Sequence, residues 1–416
     1  MSVNDIENLR AEVNPVFTTA QACLRVNAEM GDADALRLMT VLGFDSDQNR
    51  TAGMTPEMVT FVTQKLTPGF NVMVETRFAA SNRFLLESGV SQVVDLPCGY
   101  TPRGVKFSRH DIRYFGMDLP AVIDAMAPAV TEAIGESEHV SYHAVDATNY
   151  TSLRTALGDA PKEEILISIE GLLMYLTQSE LEEVFDNVRR LLHEFGGRWI
   201  TTDNELIKGQ GRLLSLLVDG DEDEIKAIDK MAADNMPKVA LAQNSFFRPD
   251  EVERFISERG FDLEKLPLYD YLPDELRSLD QLPPDKRQAA RDVFKDVYFW
   301  VMTPKPVAVR EDVREEKDFK AQMRMRGGDL EITVSGRLDT ITAPTLLAMF
   351  RDAETEHPIA SVTIDMANLV YISSAGLRVL ILMLKALEDE DHLNLINMSK
   401  AVREIIETTG LDTLMC

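Results

Sequence analysis

Acidic residues end three successive strand-like segments in the first part of the chain. They are Asp118, Asp146 and Glu170. Asp118 lies 19 residues beyond Gly99, which belongs to a turn after an earlier apolar run that contains Asp95. A carboxylate at the end of the second strand can accept hydrogen bonds from both hydroxyls of a ribose. Because open α/β sheets bind ligands at the carboxyl ends of their strands, these acids predict a cleft for an adenosine-bearing cofactor.

The segments that carry these acids alternate with helical segments. The strand-like segments are SQVVDLP, IRYFGMD, VSYHAVDA, EEILISIE, GRWITTDNE and DVYFWVMTP. Strands separated by helical lengths predict an α/β fold, a mostly parallel sheet with helices on both faces. Thr177 and Glu180 predict a capping box at the start of one helix. Residues 1–90 are predicted to be helical, and so is a long insertion between Trp199 and Tyr298, which we expect to form a lid over a substrate pocket.

The composition narrows the possible functions. With 416 residues, 45% of them apolar, the chain is predicted to form two domains. A net charge of -26 argues against nucleic acid as a partner, because such binding needs a positive surface. No apolar run is long enough to cross a bilayer and the N-terminus is acidic, so we expect a cytoplasmic protein without a membrane partner. The three cysteines and six histidines form no CxxC or HExxH pattern, so no metal site is predicted.

The residue composition and pattern of the sequence change near residue 305. Residues 305–318 combine prolines with a run of charges and are predicted to link a domain at 1–304 to a second domain at 319–416. Gly327 and Gly328 predict a hairpin, and helical and strand-like segments alternate after it. The second domain is therefore predicted to be a small α/β domain.

Parts of the first domain resemble the leucine carboxyl methyltransferase family. The similar segments are Gln92–Gly99, Asp118–Pro120 and Glu170–Leu176, within a domain of roughly Thr76–Pro304. The resemblance implies a Rossmann-like class I methyltransferase that uses S-adenosylmethionine (SAM) and methylates oxygen. Several members act on carboxylates, so we expect a small-molecule or carboxylate-bearing methyl acceptor.

The resemblance also implies roles for residues of the predicted cleft. Arg77 would hold the methionyl carboxylate of SAM and Glu170 would lie near its amino group, while Asp118 would bind the ribose and Asp146 the adenine edge. The other predicted cofactor contacts are Asp95, Pro97, Cys98, Gly99, Leu119, Ala147 and Gly171, and Tyr175 is the predicted substrate contact. No catalytic base is predicted, because a carboxylate acceptor is already ionised at neutral pH.

Pro97 departs from the family pattern, since it replaces the first glycine of the acid-x-Gly-x-Gly turn. Proline lacks an N–H donor, which a pyrophosphate would need and SAM does not, so the turn favours SAM over NAD. Thr101–Arg103 stands where the family has Asp-Thr-Arg. Other interpretations stay open: Asp118 as a helix cap, Cys98 as a small packing residue and Tyr175 as part of the core. An alternative function is a signalling or scaffold protein of the anti-sigma-factor-antagonist type whose first domain binds ligand without turnover.

Two serines follow a strand-like segment in the second domain and precede a helical one. With Gly336–Asp339 and the closing segment EIIETTGLDTLM, the string around Ser373 and Ser374 resembles STAS domains, including anti-sigma-factor antagonists. The resemblance implies phosphorylation of Ser374 by a kinase and binding of a kinase or anti-sigma factor. The family often has Asp where Ser373 stands here, so modification of Ser373 instead of Ser374 stays open. A simple helix N-cap is the alternative role for Ser374.

Overall fold

The computed structural model describes the greater part of the chain. The described residues are 16–44, 63, 66–218, 244–306, 310–326, 328–356, 359, 361–387 and 393–408. The chain divides into two compact units, Met1–Lys305 and Pro306–Cys416. None of the described helices has the length and apolar character needed to span a membrane.

The first unit contains a seven-stranded sheet. Its strands are β1 (Gln92–Asp95), β2 (Arg113–Asp118), β3 (Val140–Ala144), β4 (Ile165–Ser168), β5 (Gly197–Thr201), β6 (Phe261–Pro267) and β7 (Tyr298–Pro304). The strand order is β3-β2-β1-β4-β5-β7-β6. Strands β1 to β5 pair in parallel, whereas β7 pairs antiparallel with β5 and β6. The order reverses between β1 and β4, and in Rossmann-like folds this is the position of the ligand cleft.

Helices cover both faces of this sheet, as the sequence predicts. They are α1 (Val16–Glu29), α2 (Ala33–Val41), α3 (Thr67–Glu87), α4 (Arg103–Phe107), α5 (Pro120–Ile134), α6 (Tyr150–Leu157), α7 (Gln178–Phe195), α8 (Asp203–Leu217), α9 (Val252–Glu258), α10 (Arg277–Asp280) and α11 (Arg287–Asp292), with 3-10 turns at Leu173–Tyr175, Ser245–Phe247, Leu268–Tyr271 and Val293–Asp296. Successive strand residues point to opposite faces. Val94 packs in one buried cluster with Leu191 of α7, and Val93 packs in another with Phe84 of α3.

The sequence predicts most of these elements. Helix α7 begins with the predicted capping box of Thr177 and Glu180, and α1 to α3 lie in the predicted helical region. Strand β6 was not predicted, because this half-exposed strand lacks a clear alternation of apolar and polar residues. Within the insertion predicted to be helical, the described residues form helices α8 to α11 but also strand β6, and residues 219–243 lie outside the described part.

The second unit is a small α/β domain, as predicted. Its elements are β8 (Arg310–Glu316), β9 (Phe319–Arg326), β10 (Asp329–Leu338), α12 (Ala343–Glu356), β11 (Ser361–Ile372), α13 (Ser374–Ala386), β12 (Leu393–Ile396) and α14 (Lys400–Glu407). The strand order is β12-β11-β10-β9-β8. Strands β9 and β10 form the predicted antiparallel hairpin, in which Gly327 lies outside the described residues. Buried residues such as Ile332, Phe350 and Leu380 form one core.

Residues 310–316, which the sequence assigns to a linker, form strand β8 instead. This strand pairs antiparallel with β9 at the edge of the sheet. Its charges are compatible with a strand because an edge strand exposes much of its surface, and charged edge strands resist pairing with other chains. Arg314 forms salt bridges with Asp312 and Asp352, and Lys320 of β9 forms one with Glu315.

Candidate functional site

A cavity of about 240 Å³ lies at the carboxyl ends of β1, β2 and β4. Helices α1, α3 and α8 and the loop after β4 contribute its other walls. Its lining residues are Thr19, Ala20, Cys23, Phe70, Met73, Val74, Arg77, Pro97, Cys98, Gly99, Tyr100, Thr101, Asp118, Leu119, Val122, Glu170, Gly171, Met174, Tyr175 and Gln210. The cavity is thus at the sheet edge where the sequence predicts a cofactor cleft.

The structure brings most of the predicted cofactor and substrate residues together in this cavity. Those that line it are Arg77, Pro97, Cys98, Gly99, Asp118, Leu119, Glu170, Gly171 and Tyr175. Three predicted residues, Asp95, Asp146 and Ala147, are not among its lining residues. The cavity therefore contains three charged side chains of the prediction: Arg77, Asp118 and Glu170.

Asp118 is held at the tip of β2 by two backbone amides. Its Oδ2 accepts a 2.7 Å hydrogen bond from the Gly99 amide and its Oδ1 one of 2.7 Å from the Leu119 amide. Burial raises the pKa of Asp118 to about 6, against the opposing effect of these two hydrogen bonds. Asp118 is not the N-cap of α5: that position is Leu119, and no side chain there makes a capping hydrogen bond to the amides inside the helix. Each carboxylate oxygen keeps a lone pair for a ligand donor.

Glu170 and Arg77 give the cavity a second charged region. The side chain of Glu170 is 7% exposed, and its Oε1 accepts hydrogen bonds from Ser81 at 2.7 Å and Thr202 at 3.2 Å. Burial would raise the pKa of Glu170, but the charges of Arg103 and Arg77 outweigh it and hold that pKa below its usual value. Within the described residues Arg77 forms no salt bridge; burial raises the pKa of the nearby Cys23 thiol, and the positive charge of Arg77 acts against that rise. A guanidinium and a carboxylate therefore line the same cavity.

Arg103 lies behind Glu170 and is 3% exposed. Its Nη2 donates to Glu170 Oε2 at 2.5 Å, and its Nη1 donates to Asp95 Oδ1 at 2.7 Å. Asp95 also accepts a 2.8 Å hydrogen bond from the Tyr114 hydroxyl. Asp95, predicted as a cofactor contact, thus has both oxygens engaged in a buried network. Arg103 is not among the site residues predicted from the sequence, although it corresponds to the arginine of the family's Asp-Thr-Arg segment.

Asp203, at the start of α8, fixes the loop that follows Glu170. Its Oδ1 accepts from the Gly171 amide at 2.5 Å, and its Oδ2 accepts from the amides of Leu172 at 3.0 Å and Leu173 at 2.9 Å. Burial raises the pKa of Asp203 to about 6. The sequence analysis missed this residue. Its position directly after a predicted strand is the same signal that identified the other acids.

The turn after β1 is narrow and largely buried. The Leu96–Pro97 peptide bond is cis, and Gly99 has a φ of +52°, which favours glycine. Cys98 is fully buried, and burial raises the pKa of its thiol well above the usual value. It therefore stays a neutral thiol and fits the packing interpretation better than that of a nucleophile.

Asp146 and Ala147 lie beyond the tip of β3. Asp146 is exposed, and its Oδ1 accepts hydrogen bonds from the Thr148 amide at 2.9 Å and hydroxyl at 2.7 Å. The carbonyl of Ala147 accepts a 3.1 Å hydrogen bond from Asn187. Because β3 is an edge strand, its tip is farther than the tips of β1 and β2 from the point between β1 and β4 where the strand order reverses.

Helix α1 closes one side of the cavity. Its Ala20 is next to Gly99, where an added Cβ atom would lie 3.5 Å from that of Ala20. The Thr19 side chain forms a hydrogen bond with Tyr175, whose pKa is raised by burial, so the phenol stays protonated at neutral pH. Tyr175 lies in the 3-10 turn after β4 and is half-buried rather than part of the core.

The two serines of the second unit have different environments. Ser373 is the N-cap of α13, and its Oγ accepts from the amides of Ala375 at 3.2 Å and Gly376 at 3.4 Å. Ser374 is the first residue of the helix, is exposed, and has no side-chain hydrogen bond within the described residues. The capping role considered for Ser374 thus belongs to Ser373.

Two family models match the chain in separate regions. The leucine carboxyl methyltransferase model matches residues 30–189, which include the strand tips and most of the cavity wall. The STAS domain model matches residues 320–415, including both serines. The chain joins a SAM-dependent methyltransferase domain to a STAS domain. None of the curated proteins matches the chain in sequence.

Three solved structures are similar to parts of this chain. An anti-sigma factor antagonist from Mycobacterium paratuberculosis is 24% identical over 26% of this chain and 83% of its own, with a TM-score of 0.20. An O-methyltransferase family protein from Burkholderia thailandensis is 12% identical over 57% of this chain and 58% of its own, with a TM-score of 0.32. The geranyl diphosphate C-methyltransferase of Streptomyces coelicolor, solved with S-adenosyl-L-homocysteine, is 16% identical over 62% of this chain and 88% of its own, with a TM-score of 0.31. These scores are low, so the identification rests on the two family models.

Proposed function

We propose that the methyltransferase domain binds SAM in the cavity at the tips of β1, β2 and β4 and transfers its methyl group to an oxygen acceptor. The observation that carries this proposal is the presence of Arg77, Glu170 and Asp118 in one cavity. SAM has a carboxylate, an ammonium group and a ribose diol, and each of these groups has a complementary partner among the three residues. Among the described residues no cluster of acidic, histidine or cysteine side chains is placed to hold a metal ion.

The charges of the cavity suggest how the cofactor is oriented. Arg77 can pair with the methionyl carboxylate, and Glu170 with the adjacent ammonium group, because each is a charge of the opposite sign. Asp118 can accept from the ribose hydroxyls through its remaining lone pairs. The side chain of Leu119 is 46% exposed and lines the cavity, where it offers an apolar surface to the adenine. Asp146 is not among the residues that line the cavity, so its proposed role at the adenine edge has less support than the roles of Arg77, Glu170 and Asp118.

Methyl transfer from a bound sulfonium depends mainly on alignment of donor and acceptor. SAM supplies an electrophilic methyl group when it is bound. Tyr175 lines the cavity near the charged residues, and its protonated hydroxyl can donate a hydrogen bond to an acceptor oxygen. Carboxyl-directed transfer is part of this proposal, since an ionised acceptor would need no general base.

Titration calorimetry with SAM and with S-adenosylhomocysteine tests the cofactor assignment. We expect both to bind the wild type and Asp118→Ala to bind much more weakly. Asp124→Asn is a matched control, because Asp124 is exposed on the adjacent helix α5 and should leave affinity unchanged. Lack of binding to the wild type, or full affinity in Asp118→Ala, would contradict the assignment.

A non-catalytic signalling protein is the second candidate function, and the observation that favours it is Pro97, which replaces the first glycine of the family's turn. Incubation with radiolabelled SAM and a panel of carboxylic acids and alcohols separates the two candidates. Methyl transfer to an acceptor supports an enzyme. Binding of SAM without transfer to any member of the panel favours the signalling candidate.

For the STAS domain we propose phosphorylation at Ser374 and binding of a kinase or anti-sigma factor. The support is the free, exposed hydroxyl of Ser374 at the start of α13. Exposed apolar side chains lie close to it along the chain or on the neighbouring loop: Ile341, Val370 and Tyr371 are 45%, 65% and 36% exposed. A phosphate would add up to about two negative charges beside this surface and weaken an apolar contact there.

Intact-mass and peptide analysis after incubation with the cognate kinase and ATP tests this regulation. We expect one phosphate on the wild type and on Ser373→Ala, and none on Ser374→Ala. A phosphate on Ser373, or an unmodified wild type, would remove the proposal for Ser374.

A further inference from the structure

Arg103 does not line the cavity, but its side chain forms hydrogen bonds with three residues close to it. Its Nε donates to Asn82 at 3.0 Å, its Nη1 to Asp95 at 2.7 Å, and its Nη2 to Glu170 at 2.5 Å. These partners come from helix α3, from the tip of β1 and from the residues that follow β4. One guanidinium group therefore connects three elements of the site.

The adjacent glycine allows Arg103 to reach this position. Gly104 packs against the sheet so closely that a Cβ atom there would lie 2.3 Å from the hydroxyl oxygen of Tyr142. With any larger residue, either α4 or the Tyr142 side chain would have to shift. The short helix α4 therefore lies deep enough for the side chain of its first residue to reach two buried carboxylates.

The contacts of Glu170 show what Arg103 does for the cavity. Arg103 holds Glu170 Oε2, while Ser81 and Thr202 hold Oε1, so the carboxylate is fixed at both oxygens. A buried carboxylate without a counter-charge would favour its neutral form. Arg103 supplies that counter-charge from behind, so that Glu170 does not depend on Arg77 alone and Arg77 can pair with a ligand.

We propose that Arg103 is a positioning residue that holds the Glu170 carboxylate as the partner of a ligand ammonium group, and so makes the cavity selective for ligands with an amino-acid moiety. The inference rests on the proposed function, because it assumes that SAM and S-adenosylhomocysteine occupy this cavity. It adds a source of specificity: Arg103 controls recognition of the methionyl end and leaves recognition of adenosine to Asp118.

A pair of ligands separates this role from a general structural one. S-adenosylhomocysteine carries the amino-acid moiety, and 5′-methylthioadenosine has the same adenosine and thioether without it. Calorimetry should show that Arg103→Gln binds S-adenosylhomocysteine roughly 10- to 100-fold more weakly, the effect of losing one charged hydrogen-bonded partner. Affinity for 5′-methylthioadenosine should change by less than about twofold, because its contacts do not involve Glu170. Glu170→Gln should show the same pattern.

Two further variants complete the experiment. Arg37→Gln is the matched control, because Arg37 is exposed on α2 of the same unit and should match the wild type with both ligands. Arg103→Lys keeps the charge but cannot bridge Asp95 and Glu170 with a planar fork. If Arg103→Gln does not fold, Arg103→Lys should still lose affinity for S-adenosylhomocysteine alone.

The possible outcomes separate the two hypotheses. If the Arg103 variants lost affinity for both ligands equally, or bound S-adenosylhomocysteine as the wild type does, the positioning role would be overturned and the proposed function would stay intact. A wild type that binds neither ligand would overturn both.

Discussion

The affinity for S-adenosylhomocysteine should depend on pH through Asp118. Burial raises the pKa of this carboxyl to about 6, and ribose hydroxyls can donate only to lone pairs that the ionised form keeps available. Ligand binding therefore favours the deprotonated carboxylate and lowers its pKa from this raised value. Below the free-protein pKa, binding must displace a proton, so the affinity should fall by about tenfold per pH unit. The dissociation constant should be about tenfold higher at pH 5 than at pH 8.

Asp118→Asn tests whether Asp118 is the titrating group. The amide keeps an oxygen for the Gly99 N–H but loses the charge and one acceptor, so affinity at pH 8 should fall by about 1.5–3 kcal/mol, or roughly 10- to 150-fold. The remaining affinity should be independent of pH. Glu170 does not add to the slope, because the charges of Arg103 and Arg77 outweigh the effect of burial and hold its pKa below the usual value.

Calorimetric titrations between pH 5 and pH 8 measure this dependence. Asp203 is the other buried acid near the cavity with a pKa raised to about 6, so Asp203→Asn is included in the series. A flat profile in the wild type would refute the reasoning, as would a profile that Asp118→Asn leaves unchanged. If the pH dependence of the affinity disappeared only in Asp203→Asn, the titrating group would be Asp203, which holds the loop after Glu170.

Substitutions of Asp203, Gly104 and the two serines have expected effects on stability and binding that follow from the structure. Asp203→Asn should lower both thermal stability and affinity for S-adenosylhomocysteine, because an amide cannot accept from all three loop N–H groups and leaves a buried donor unpaired at a cost of about 1–3 kcal/mol. Gly104→Ala should destabilise the first unit by about 1–3 kcal/mol in a denaturant titration, since its Cβ atom would overlap the hydroxyl of Tyr142. Ser373→Ala should cost about 1 kcal/mol of stability in the STAS domain through loss of the α13 N-cap, whereas Ser374→Ala should change stability by less than about 0.5 kcal/mol.

The sequence predicts the strand tips of the cavity well because the signal is local. An apolar run that ends in an acid and a turn is visible within a few residues, and Asp118 and Glu170 both meet this description. Their meeting in one cavity then follows from the parallel sheet. The same rule includes Asp146, which the structure places outside the cavity lining, since residue order along the chain does not reveal that β3 is the edge strand.

Arg103 shows why the rest of the site could not be predicted. An arginine in a turn is usually exposed, and its burial here depends on carboxylates at positions 95 and 170 and on the close packing that Gly104 allows. Asp95 is near Arg103 in sequence, but Glu170 is 67 residues away, and only the folded sheet brings both carboxylates to one guanidinium group. Strand β8 was missed for a related reason: its charged residues resemble a linker until β9 is present as a pairing partner.

The two ends of the cavity stabilise negative charge by different means, and this difference has a measurable consequence. Arg103 supplies a full counter-charge to Glu170, whereas the hydrogen bonds that Asp118 accepts within the described residues come from the backbone and do not compensate for its burial. The methionyl end should therefore stay charged down to acidic pH while the ribose end titrates near pH 6. S-adenosylhomocysteine and 5′-methylthioadenosine share the ribose, so both should lose affinity below that pH with the same slope. Arg103→Lys should weaken only S-adenosylhomocysteine, by the same factor at pH 7 and pH 8. If the two ligands differed in their pH slopes, the titrating group would have to be at the methionyl end, and the assignment of Asp118 to the ribose would be wrong.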